Sequence, residues 1–301
     1  MGLSFADDLL LFCRSVSGAQ SDLLLLDSIF ARFGLQINSA KSRAMVVNHT
    51  NDSYHPLMEG HPKIFLRGEE VEMVSSETYL GSVISSSAST EIDVENRIRM
   101  ADRAVFRLRK FLFRRSLPCW LRRKVLMAFV WPVVSFSCET WVLTASLRGR
   151  LRSWWHKIHR RLRGVFKWQH KRMGELLEEC GSGDVIAMIN LRRRRYLGHI
   201  FRYPDHRYVK QLLAVDWAMG DGPKKRGAPK TTWRSMVQKD LLDNDLDLRV
   251  KKEVWRKRIE ELHWEEDARM KGIEAKQGKE EAVIIEGDEE NVVEDQASDE
   301  E

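Results

Sequence analysis

Between residues 1 and 88 the apolar positions fall in short runs separated by polar turns, and from residue 89 onward they recur every third or fourth position. Leu3 to Phe5 and Leu9 to Phe12 flank Ala6-Asp7-Asp8, which predicts a β-hairpin with two carboxylates at its tip. That tip lacks the Gly or Asn that a two-residue hairpin loop favours, so the paired Asp need a chemical reason. Leu23, Leu26, Ile29, Phe30 and Phe33 then lie at helical spacing, with Ser17 or Ser21 as the cap and Gly34 as the stop. Leu35 to Asn38 and Ala44 to Val47 read as strands around Ser39-Ala40-Lys41-Ser42. After a polar loop from Asn48 to Pro62, the runs Ile64 to Leu66, Val71 to Met73 and Tyr79 to Ile84 predict further strand hairpins. Strands grouped around one helix suit an α+β sheet domain.

From Glu91 the period changes. Ile92, Val94, Ile98, Ala101, Val105, Leu108 and Leu112 follow one helical stripe, while Arg97, Arg99, Arg103, Arg107, Arg109 and Lys110 cover the rest of the surface. Leu117-Pro118 ends this helix. Leu121 to Phe129 and Arg148 to Phe166 predict two more, interrupted at Pro132. A last helical region is expected from Trp233 to about Lys271. The organisation is then a sheet domain (1–88), a basic helical region (89–170), a second helical region (171–270) and a tail (271–301).

Charge sharpens this division. From Arg97 to Arg172, twenty-one Lys and Arg stand against Asp102 and Glu139, a net of +19, whereas from Lys271 to Glu301 three Lys stand against twelve Asp and Glu, a net of −9. The acidic, weakly apolar tail is expected to be disordered. The basic centre fits a polyanion, and nucleic acid is the commonest one, although an Arg-rich solvated face is the plain alternative. Trp154, Trp155 and Trp168 are interleaved with these cations and suit either base stacking or the core. Arg192 to Arg195 and Lys224-Lys225-Arg226 suit nuclear import, phosphate contact or plain solvation. Cys13, Cys119, Cys138 and Cys180 show no C-x-x-C spacing, and His199 with His206 has no Cys partners, so a structural zinc site is not expected in a reduced, intracellular chain. No apolar run approaches a membrane span.

Adjacent carboxylates in an apolar setting repel one another unless a cation or water relieves them. Metal binding and a solvated turn are the two readings of Asp7-Asp8. The blocks Phe5-Ala6-Asp7-Asp8, Gly34-Leu35-Gln36-Ile37-Asn38-Ser39-Ala40-Lys41 and Tyr79-Leu80-Gly81-Ser82-Val83-Ile84, in this order and spacing, resemble the reverse transcriptases of non-LTR (LINE-type) retrotransposons. Cys138-Glu139-Thr140-Trp141, His159-Arg160-Arg161-Leu162-Arg163, Tyr196 to Arg202 and Arg226 to Trp233 resemble segments downstream of the palm in animal elements.

The resemblance implies a partial reverse-transcriptase palm followed by a mostly helical thumb and C-terminal region. It implies that Asp7 and Asp8 hold Mg2+, that Lys41 serves the leaving pyrophosphate, and that Tyr79, Leu80 and Gly81 grip a primer end. Arg97, Arg103, Arg107, Lys110, Arg160, Arg161 and Arg163 would contact an RNA template or DNA primer, with a nuclear location following from the basic clusters. It also implies a further catalytic Asp and fingers upstream of Phe5. The chain as given is therefore expected to lack polymerase activity alone. Two function classes stay open: a fragment of an RNA-directed DNA polymerase, and a non-enzymatic nucleic-acid-binding remnant.

Overall fold

A computed structural model of the chain describes residues 2–47, 63–219 and 231–243, with 257, 258 and 261. The loop from Asn48 to Pro62, the cluster Lys224-Lys225-Arg226, nearly all of the helical region expected beyond residue 243, and the acidic tail lie outside the described residues. The chain divides into two compact units, Met1–Asp93 and Val94–Glu301.

In the first unit, β1 (Gly2–Phe5) and β2 (Asp8–Leu11) form the expected antiparallel hairpin, with Phe5 opposite Asp8. Helix α1 (Val16–Arg32) starts earlier than either expected cap. Ser15 takes an extended backbone and accepts the Gly18 N–H at 3.1 Å, which satisfies an orphan donor of the first turn. Val16 and Ala19 continue the stripe of Leu23 and Leu26, which carries the helix back to Val16. Gly34 ends the helix at φ +73°, a left-handed conformation that glycine adopts without strain.

The expected strand at Leu35 to Asn38 is absent. Asn38 instead caps a 3-10 turn at Ser39–Lys41 through its side-chain oxygen, 3.0 Å from the Lys41 N–H. The strands that follow are β3 (Arg43–Ala44), β4 (Phe65–Leu66), β5 (Glu69–Glu70), β6 (Glu72–Met73), β7 (Ser76–Tyr79) and β8 (Ser82–Ser85). They do not merge into one sheet. Among the described residues there are four two-stranded ladders, antiparallel except for β3 with β6, which is parallel. The apolar centre is small: Ile64, Leu66 and Val71, with Ala19 and Leu23 of α1 against them. Polar contacts reinforce it. The Gln20 amide bonds both the N–H and the carbonyl of Phe65 at 2.7 Å, acting as a strand partner for β4. Arg67 holds Asp27 through two nitrogens at 2.6 and 2.9 Å.

The second unit is helical among its described residues. It contains α2 (Glu91–Arg107, which begins within the first unit), α3 (Arg109–Leu112), α4 (Cys119–Val125), α5 (Trp131–Val134), α6 (Ala145–Arg163), α7 (Met173–Glu179), α8 (Val185–Arg202), α9 (Tyr208–Met219) and α10 (Trp233–Leu242). Pro132 does not break the chain between α4 and α5. A π-turn at Leu126–Val130 joins them, and a proline that cannot donate and crowds the preceding turn is a sufficient cause for that widening.

Helix α6 begins and ends three residues before the expected Arg148 to Phe166. Thr144 caps it by accepting the Leu147 N–H, and Gly164 closes it at φ +71°. One core runs through residues on both sides of position 170: Leu112, Leu126, Leu151 and Trp155 share it with Leu176, Val185 and Ile189. The expected division at 170 thus crosses a continuous core. No helix among the described residues is long and apolar enough to cross a membrane.

Candidate nucleic-acid interface

Asp7 and Asp8 are both exposed on the β1–β2 hairpin, Asp7 in its two-residue loop and Asp8 as the first residue of β2. Ala6 reaches the left-handed region at φ +52°, where a residue with a Cβ is strained by about 1 kcal/mol. Strain of this kind at a loop tip is a pointer to function, since a glycine would form the turn more easily. Among the described residues no group of three acidic, imidazole or thiol side chains is placed to hold a metal ion. Two carboxylates supply fewer ligands than a pair of divalent ions requires, so this arrangement does not fit a two-metal centre.

Lys41 is exposed at the end of the 3-10 turn, and no hydrogen bond or ion pair joins it to Asp7 or Asp8. Tyr79, Leu80 and Gly81 form the tip of the β7–β8 hairpin. Leu80 and Gly81 lie at φ +47° and +86°, the pattern of a primed two-residue turn.

Among the described basic residues of the second unit, three groups bear on the expected interface. Arg97 is only 4% exposed, and its guanidinium lies 4.1 Å from the Phe136 ring centroid, so it offers no surface to a phosphate. A second group is engaged internally. Arg150 pairs with Glu95, Arg152 meets Asp184 at 3.0 Å, and Arg163 meets Glu179 at 3.5 Å. Arg161 lies over the Phe113 ring at 4.1 Å, and Arg160 is half-buried. The third group is Arg99, Arg103 and Arg107 on α2 with Lys110 on α3. All four are exposed, and none has an acidic partner among the described residues. On α2 they recur every fourth residue, about 6 Å apart along the axis, as one cationic row.

The aromatic residues divide as sharply. Trp155 is 0% exposed and donates to the Gly183 carbonyl at 3.1 Å; Trp154 is 7% exposed and donates to Asp102 at 2.9 Å. Both belong to the core, with their polar edges satisfied. Trp168 is 69% exposed and stacks on Phe166 at 4.4 Å between centroids.

The Arg192 to Arg195 run is helical and largely internal. Arg193 is buried and donates to the Trp141 carbonyl at 3.1 Å, while buried Arg194 pairs with Asp240 at 2.9 Å. Arg192 meets Glu139 at 2.8 Å. A signal read in extended, accessible form does not suit a run so placed.

These contacts join several of the motif segments. Glu139 of Cys138-Glu139-Thr140-Trp141 holds Arg192, and its carbonyl accepts the Trp233 indole N–H at 2.9 Å. The segment ending at Trp233 and the helix bearing Tyr196 to Arg202 thus meet one turn, which explains physically why such polar residues occur in a core.

Two buried clusters escaped sequence reasoning. His159 lies between the Trp155 carbonyl (Nδ1, 2.9 Å) and Ser182 Oγ (Nε2, 2.8 Å). Cys119 and Cys180 sit together in the core, far apart in sequence. A hydrogen bond from the Cys180 thiol, then the nearby Arg163 and Arg122 cations, draw the Cys119 thiol below its ordinary value against the effect of burial. No local spacing signals either cluster.

No family model and no solved structure matches the chain. Over 249 residues, covering 81% of this chain and 86% of the relative, it is 22% identical to an uncharacterized transposon-derived protein of Caenorhabditis elegans. Across most of its length, then, the sequence is similar to that of a transposon-derived protein, which supports a transposon origin.

Proposed function

We propose that the chain descends from a non-LTR retrotransposon reverse transcriptase and acts as a nucleic-acid-binding remnant, with α2 and α3 gripping the phosphate backbone. The observation that carries this reading is the row Arg99, Arg103, Arg107 and Lys110, exposed and without acidic partners among the described residues while neighbouring arginines are paired. Cations spaced along a helix follow phosphates without reading bases, so the binding is independent of sequence. The three motif blocks in family order and the transposon-derived relative support the line of descent. Asp7 and Asp8 keep the hairpin-tip position that the family resemblance implies, but their donor set supports no transfer step.

The test is duplex binding by fluorescence anisotropy. Replacing Arg99, Arg103 and Arg107 together by Gln should remove about three phosphate contacts and flatten the dependence of log K on log salt by about 2.7. Replacing the paired Arg150 and Arg152 by Gln should leave that dependence nearly unchanged. Equal effects of both sets would reject α2 as the interface.

A further inference from the structure

We infer that Phe166 and Trp168 form a stacking platform for an unpaired nucleobase, so that the second unit holds single strands as well as duplex backbone. This rests on the nucleic-acid reading above and adds a ligand class to it. The two rings are parallel to within 6° at 4.4 Å, and both are exposed, 48% for Phe166 and 69% for Trp168. An apolar pair of this size is normally drawn into a core. Trp131, Trp154 and Trp155 of the same unit are packed there.

The turn that presents the pair is built by its own hydrogen bonds. The Phe166 N–H donates to the Gln169 side chain at 2.8 Å, and the Gln169 N–H donates back to the Phe166 carbonyl at 3.1 Å. His170 closes the turn at φ +47°. The platform is therefore set before any ligand arrives, which lowers the ordering cost of binding.

Its surroundings select the partner. The turn follows α6 directly, and the Arg115 guanidinium reaches Gly164, where an added Cβ would sit 2.9 Å from it. Arg115 and Arg172 are exposed on the flanking segments, within a stretch of net charge +19 from Arg97 to Arg172. An aromatic face amid cations suits a ligand with a π-face and a phosphate, and a nucleotide in a single strand presents both. In a duplex the base faces are already stacked, so the platform discriminates between the two forms.

The experiment measures the full-length protein by anisotropy against thymidine and uridine strands of about 20 nucleotides and against a duplex of the same length. Trp168→Ala should weaken both single strands by about fivefold or more, and the duplex by less than about twofold; Trp168→Phe should keep most of the affinity. Thymidine and uridine strands should respond alike, because the contact is to the base and not to the sugar. Wild-type duplex binding together with an unchanged single-strand affinity in Trp168→Ala would overturn the platform and leave the α2 interface standing. Binding of neither form by the wild type would overturn both.

Discussion

His159 makes the second unit sensitive to acid. Its ring is fully buried on α6, with Nδ1 2.9 Å from the Trp155 carbonyl and Nε2 2.8 Å from Ser182 Oγ. A carbonyl only accepts, so Nδ1 bears the proton and Nε2 accepts from the serine hydroxyl, a neutral ring with both nitrogens satisfied. Burial pulls its pKa from the ordinary 6.5 down to about 4, with the Trp155 bond opposing part of that effect. Between those values the unfolded chain binds a proton that the folded chain refuses, so stability rises with pH and is lost on acidification. Descending from neutrality to about pH 5 should cost about 2 kcal/mol, and the whole window about 3 kcal/mol.

Urea unfolding followed by far-ultraviolet circular dichroism, at neutral pH and near pH 5, measures this loss. His159→Gln removes the titrating group, and its acid-induced loss should be smaller than that of the wild type by about 2 kcal/mol. An independent readout is the NMR titration of the His159 ring in the intact wild type. Equal pH dependence in the two proteins, or a ring titrating at or above its ordinary value, would refute the reasoning.

Other consequences are local. Ala6→Gly should relieve the left-handed strain at the carboxylate loop and stabilise the β1–β2 hairpin by about 1 kcal/mol, read as slower amide exchange in that hairpin. Arg194→Met should destabilise the second unit by about 3 kcal/mol at neutral pH, because it removes the guanidinium 2.9 Å from the buried Asp240 carboxylate. That loss should shrink in acid, since burial already raises the Asp240 pKa and a protonated carboxyl needs no counter-charge. The purified chain with Mg2+ should show no template-dependent primer extension, because Asp7 and Asp8 alone do not complete a two-metal donor set. Robust synthesis that disappears in Asp7→Asn would contradict this.

The elements written in local pattern were legible from the sequence. Short apolar runs on either side of Ala6-Asp7-Asp8 predicted the first hairpin, and the helical spacing from Arg148 to Phe166 predicted α6 to within three residues at each end. What sequence reasoning missed depended on contacts remote along the chain. Arg97 looks like one more surface cation, yet it stands three residues after Val94 and four before Ala101 at the edge of the core face, and Phe136 covers it. Four consecutive arginines look like a solvated run until Glu139, the Trp141 carbonyl and Asp240 are brought against them. Leu35 to Asn38 has strand-like composition, but the Asn38 side chain bonds the next turn and competes with a ladder. Spacing treated Trp154, Trp155 and Trp168 alike. Only their placement separates two core indoles from an exposed one.

The most direct measurement is the salt dependence of duplex binding by the wild-type protein. The four cations of the row, Arg99, Arg103, Arg107 and Lys110, should give a slope of log K against log salt near −3.6, about 0.9 for each phosphate engaged. A steep line of that order, equal for unrelated duplex sequences, is the expected result. Affinity that is indifferent to salt, or no binding at low salt, would contradict a phosphate-gripping role for these helices.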